Sequence, residues 1–108
     1  MSNFFTYITT NPKKTVLYTG VTNDLEQRII EHYLNRGIPK TFAGRYYCYF
    51  LLFFERYQTP MQAIEREKEI KSMSRSQKEE LISIQNPKMS FLNVSIMEWP
   101  PHPERTSR

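Results

Sequence analysis

Runs of apolar residues alternate along the chain with short polar and proline-containing breaks, and the spacing within each run differs. From Phe4 to Thr10 the residues FFTYITT are aromatic or β-branched, the composition of a strand. Asn11 to Lys14 has turn chemistry and leads to a second β-rich run, Val16 to Val21, so the two predict a hairpin. Tyr18 and Gly20 stand two apart and share a sheet face, and the missing side chain at Gly20 leaves space beside Tyr18.

The period then changes. Thr22, Asn23 and Asp24 offer N-cap oxygens before LEQRIIEHYLN, where Leu25, Ile29 and Tyr33 or Leu34 recur at helical spacing until Gly37 and Pro39 end the helix. GIPKTFAGR reads as an exposed basic loop, and the near-continuous apolar stretch from Tyr46 to Tyr57 as a strand buried on both faces, centrally placed. Thr59 as cap and Pro60 at the first helical position open a third-quarter helix through about Met73. Ser74 with Gln77 resembles a capping box and opens another, through about Ile84. The order β-β-α-β-α-α predicts an α+β fold, a small three-stranded antiparallel sheet flanked by helices. One domain over 1–99 is expected, with a flexible C-terminal tail over 100–108, where PPHPERTSR has little to pack.

Composition narrows the class. Charged residues are 24% and hydrophobic ones 39% of the 108, ordinary for a globular protein. A net charge of +4 mildly favours polyanionic partners. One cysteine, Cys48, excludes an internal disulfide and a thiolate cluster, and reads as a small buried apolar residue. The N-terminal residues do not have the pattern of a secretory signal, and YYCYFLLFF is about half of the roughly 20 residues a membrane helix needs. A cytoplasmic protein without membrane association is expected, and no obligate protein partner is evident.

Three features carry candidate chemistry. Arg28 and His32 lie one helical turn apart, so both reach one ligand, and a phosphate suits them. Glu67 has Ala63, Ile64 and Ile70 around it at helical spacing, which puts a carboxylate on the stripe facing the sheet, where a cation or a metal must meet it; Arg66 or Lys71 could be that cation. Tyr7 and Tyr18, on consecutive strands, can stand side by side with their hydroxyls at one edge. P-loop, dinucleotide-glycine and Cys/His metal signatures are missing from the sequence.

In this order, FTYI at Phe5 to Ile8, YTGVTNDLEQRIIEH at Tyr18 to His32 and AIEREKEIK at Ala63 to Lys71 resemble the GIY-YIG endonucleases, in particular the small single-domain members. The GIY triplet falls on Phe5-Thr6-Tyr7 and keeps its tyrosine, and YIG falls on Tyr18-Thr19-Gly20. The family's helix arginine falls on Arg28, its following His or Tyr on His32, its metal-binding glutamate on Glu67. A basic residue that some members carry after YIG is Val21 here, and Asn86 and Asn93 compete for a late asparagine.

The resemblance implies hydrolysis of a nucleic-acid phosphodiester, expected to be DNA, with one divalent ion, Mg2+ or Mn2+, held by Glu67. It implies that Arg28 braces the charge at phosphorus, that Tyr18, a water it orients, or His32 takes the nucleophile's proton, that Tyr7 positions Tyr18 or the attacking water, and that Gly20 keeps the pocket open. Two alternatives stand beside it. One is a catalytically weak or inactive nucleic-acid-binding module of the same fold, with Arg36, Lys40 and Arg45 as backbone contacts. The other is an interaction domain that associates through YYCYFLLFF.

Overall fold

The computed structural model describes residues 3–102. Its hairpin consists of β1 (Phe4–Thr10) and β2 (Leu17–Thr22), antiparallel, with Tyr7 opposite Gly20 and Thr9 opposite Tyr18. Asn11 shapes the turn. Its Oδ1 accepts from the N–H groups of Thr15 and Val16 at 2.8 and 2.9 Å, and its Nδ2 donates to the Thr15 hydroxyl.

β3 (Phe50–Tyr57) joins the other side of β1, giving the order β2-β1-β3. Two expectations are corrected here. The strand starts at Phe50 rather than Tyr46, because Tyr47 adopts a φ of 59° and breaks the extended backbone before it. It is also an edge strand, the centre being β1. Burial on both faces does occur at its start: the pairing steps from Ile8–Phe53 to Thr9–Leu51, leaving Leu52 as an extra residue, and Leu51, Leu52 and Phe53 are all buried.

An exposed edge invites pairing with another chain. Here side-chain amides occupy it. Asn93 accepts from the Leu51 N–H at 2.7 Å and donates to the Tyr49 carbonyl, Asn86 donates to the Leu52 carbonyl at 3.0 Å, and Gln85 bonds both the N–H and the carbonyl of Phe54. The backbone that an association through YYCYFLLFF would need is thus already engaged.

α1 (Leu25–Leu34) starts where Asp24 accepts from the Gln27 N–H, and packs Leu25 and Ile29 against Tyr7 and Leu51 on one sheet face. The segment expected as an exposed loop instead contains α2 (Phe42–Arg45), capped by Thr41, with Ala43 and Gly44 buried. α3 (Pro60–Lys71) has a reciprocal capping box between Thr59 and Gln62. On the opposite sheet face its Ala63 carbonyl accepts from the buried Thr6 hydroxyl at 2.7 Å, and Ile70 joins a core of Ile8, Leu52, Phe53 and Ile82. Ile64 is 37% exposed, so the apolar stripe of α3 is narrower than its sequence suggests. α4 (Arg75–Gln85) carries the predicted Ser74–Gln77 box, and a further single turn, α5 (Asn93–Ile96), was absent from the expected order.

Cys48 is buried, and burial pushes its thiol up to about 11. Of the expected tail, Pro100 and His102 are exposed and Pro101 is buried, while 103–108 lies outside the described residues. No helix among the described residues is long and apolar enough to cross a membrane.

Candidate active site

Strand alternation puts Tyr7, Tyr18 and Gly20 on the sheet face that α1 covers. Tyr7 is fully buried on the central strand, and its ring lies across Gly20: a Cβ added there would come within 2.5 Å of the Tyr7 hydroxyl and 2.7 Å of Cζ. The glycine is a steric requirement of the tyrosine beside it. Gly20→Ala therefore forces a rigid buried ring to move. A destabilisation of about 1–3 kcal/mol is expected, measurable by chemical denaturation, with loss of the hydrogen bond that the ring makes.

That bond joins the Tyr7 hydroxyl to His32 Nε2 at 2.8 Å. The Tyr18 ring completes the group, 6.3 Å from the Tyr7 ring and 5.4 Å from His32 between centroids, edge-on to the imidazole. Arg28, one turn before His32, pairs through Nε with Glu31 at 3.1 Å, and its positive charge acts on the Tyr7 hydroxyl. Glu67 stands on α3, which packs across β2 as well as β1 on the other face of the sheet, and its charge is the smallest of the influences on the Tyr7 hydroxyl. Lys71 sits on the carboxylate at 3.3 Å. Of the two cations that the sequence offered Glu67, Lys71 takes the place and Arg66 turns to Glu55 and Glu69. Glu65 and Glu69, on the same helix, are exposed.

Burial dominates the protonation states. It holds Tyr7 well above the ordinary phenol range, with Tyr18 and Glu67 pushing the same way and Arg28 opposing. Burial, then the Arg28 charge, pulls His32 down to about 4. Both groups are neutral at neutral pH. In the unfolded chain His32 titrates near 6.5, so between that value and about 4 the unfolded state binds the extra proton. Stability contributed by neutral His32 is complete above pH 6.5 and falls as pH drops through the window, by on the order of 3 kcal/mol at its foot. Denaturant melts at stepped pH check this: His32→Gln should flatten the decline between pH 6.5 and 4.

The donor set limits what metal could bind. Among the described residues no three His, Cys, Asp or Glu side chains form a cluster. Glu67 is a lone, partly accessible carboxylate, its side chain 21% exposed and covered by a lysine that is itself 55% exposed. This fits a hard divalent ion that keeps most of its waters and takes one protein carboxylate, and does not fit an all-protein cage.

Several neighbours had no signal in the sequence. Phe42 stacks on Tyr18 at 6.1 Å with planes 23° apart, and Tyr46 packs on Phe42 at 4.7 Å. A one-turn helix has no period to detect, so only the fold reveals that Phe42 adjoins Tyr18. Of the basic residues in the same region, Arg36 stacks on Tyr33, while Lys40 and Arg45 line a cleft of ≈ 290 Å3 with Phe42 and Tyr46. Asn86 and Asn93 both serve the β3 edge, on the side of the sheet away from β2.

Comparison with known proteins bears on the family and the fold. The GIY-YIG catalytic domain family matches residues 3–80. A UPF0213 protein of Natronomonas pharaonis is 42% identical over 67 residues, 62% of this chain and 76% of that protein. One from Staphylococcus haemolyticus is 35% identical over 82 residues, 76% of this chain and 96% of its own length. The solution NMR structure of a UPF0213 protein from Bacillus halodurans superposes with a TM-score of 0.50 at 27% identity, covering 89% of this chain and 97% of that one.

Proposed function

Since the chain belongs to the GIY-YIG family, whose members are in general endonucleases acting on nucleic acid with a divalent metal, we propose that it hydrolyses DNA phosphodiester bonds with Mg2+ or Mn2+. The observation that carries this reading is the Tyr7–His32 hydrogen bond at 2.8 Å, which draws together strand and helix positions beside Tyr18, Gly20, Arg28 and Glu67.

Glu67 is the residue that would hold the ion, which when bound supplies Lewis-acid stabilisation of charge on the phosphate and on the departing oxygen. Lys71, its present partner, is exposed enough to give way. Arg28 lies where a phosphate would exchange for Glu31, and its guanidinium then braces the charge that develops at phosphorus.

Tyr7 keeps its proton at neutral pH and donates it in the bond to His32 Nε2. His32 then carries hydrogen on Nδ1, and its basic nitrogen is engaged. This leaves Tyr18 as the group that accepts the nucleophile's proton. Tyr7 and His32 position; Gly20 keeps their geometry open.

Incubation of end-labelled DNA with the protein and Mg2+ or Mn2+ tests the reading. Discrete products that vanish with EDTA are expected, faster as pH rises through neutrality, with Tyr18→Phe slower by about two orders of magnitude or more. DNA binding that weakens with salt, but yields no products under either metal, would select the non-cleaving binding module instead.

A further inference from the structure

Beside Tyr18 a second cleft of ≈ 300 Å3 opens between β2, α2 and the two helices of the opposite face, lined by Leu17, Tyr18, Thr19, Phe42, Lys71 and Lys78. It is continuous with the candidate site at two points: Tyr18 belongs to both, and Lys71 joins it to Glu67. Its electrostatics are unbalanced. Lys78, in the first turn of α4, is half-buried and makes no ion pair among the described residues, whereas Arg28, Arg66, Lys71 and Arg75 all do. A partly desolvated ammonium without an anion is unfavourable, and the apolar walls from Leu17 and Phe42 strengthen any anion placed against it.

We propose that Lys71 and Lys78 form a subsite for a second phosphate of the bound strand, flanking the one that is cleaved, with Phe42 as its aromatic wall. The subsite rests on the nuclease reading. Lys71 serves it once Glu67 has exchanged the lysine for a metal ion; Lys78 is free for it throughout. Phe42, 50% exposed on its outer face while its inner face stacks on Tyr18, offers a sugar or base an apolar surface beside the phosphate. Two cations from different helices reading one phosphate would set where the strand lies relative to Tyr18, so the subsite acts on binding more than on the chemical step.

The test uses the full chain, Mg2+ and an end-labelled oligonucleotide whose cleavage point has been mapped, prepared with a neutral methylphosphonate at one flanking position at a time. For the wild type, one flanking position should raise KM about tenfold on neutralisation, the loss expected for one charged hydrogen-bonded contact, with kcat within about twofold. Lys78→Gln should raise KM on the natural oligonucleotide, suffer a smaller penalty from that methylphosphonate because only Lys71 still meets the phosphate, and lower the salt slope of log KM by about 0.7 to 0.9, one phosphate's share. Lys78→Arg should restore both. Thermal unfolding verifies that the variants fold. Wild-type KM in Lys78→Gln, or an undiminished methylphosphonate penalty in that variant, would overturn the subsite while the nuclease reading stands. Absence of cleavage by the wild type would overturn the nuclease reading and the subsite with it.

Discussion

Glu67→Gln is expected to lower metal-dependent cleavage by about two to four orders of magnitude and leave the fold intact. The activity loss follows from the donor set: among the described residues no neighbouring carboxylate or imidazole cluster can take over the ion. The charge stabilisation that a bound cation contributes is worth several kcal/mol, at roughly 1.4 kcal/mol per factor of ten. The fold persists because the amide is isosteric and the Glu67–Lys71 pair is a partly exposed helix pair, worth about 0–1 kcal/mol. Single-turnover cleavage measured beside a thermal melt checks both halves.

Arg28→Ala is expected to reduce kcat by about 10²–10³, the loss usual when one donor to a developing oxyanion is removed. Stability should hardly change, since the Arg28–Glu31 pair is an exposed i,i+3 contact and alanine is a strong helix former. A second reading separates this from a general disturbance of α1. The Arg28 charge is, after burial, the other cause that depresses His32. In Arg28→Ala the imidazole should titrate above its wild-type value near 4 while remaining below an exposed histidine, which an NMR pH titration resolves.

What the sequence disclosed about the fold was what is decided locally. Asp24 before LEQR, Thr59 with Pro60 and Ser74 with Gln77 each cap the helix they announced, because a cap satisfies backbone donors within three residues of itself. The hairpin was legible for the same reason, Asn11 bonding Thr15 and Val16 across the turn, although Arg75 of α4 also donates to the Lys14 and Thr15 carbonyls. Strand order was not. The apolar wealth of β3 suggested a centre, but its outer side is completed by amides from Gln85, Asn86 and Asn93, more than thirty residues away in sequence, and no local pattern encodes that. α2 escaped because a single turn has no period, and Ile64 because a stripe on a helix says nothing of how far its neighbour extends.

The candidate site divides along the same line. Tyr18 with Gly20, and Arg28 with His32, were visible as spacings on one strand and one helix. The contact between Tyr7 and His32 was not, since it depends on the register that sets Tyr7 opposite Gly20 and on the seating of α1 over it. Phe42 and the cleft with Lys78 emerge only when α2, α3 and α4 meet around β2.

In the proposed reading Glu67 holds a divalent ion within the cluster of Tyr7, Tyr18, Arg28 and His32. Titrating Mn2+ into isotope-labelled protein and following paramagnetic broadening residue by residue tests it most directly. Selective loss of signals from Glu67, Tyr7, Tyr18, Arg28 and His32 is expected, abolished in Glu67→Gln, with the Asn93 edge of β3 unaffected. Broadening centred elsewhere, or the same broadening in Glu67→Gln, would contradict it.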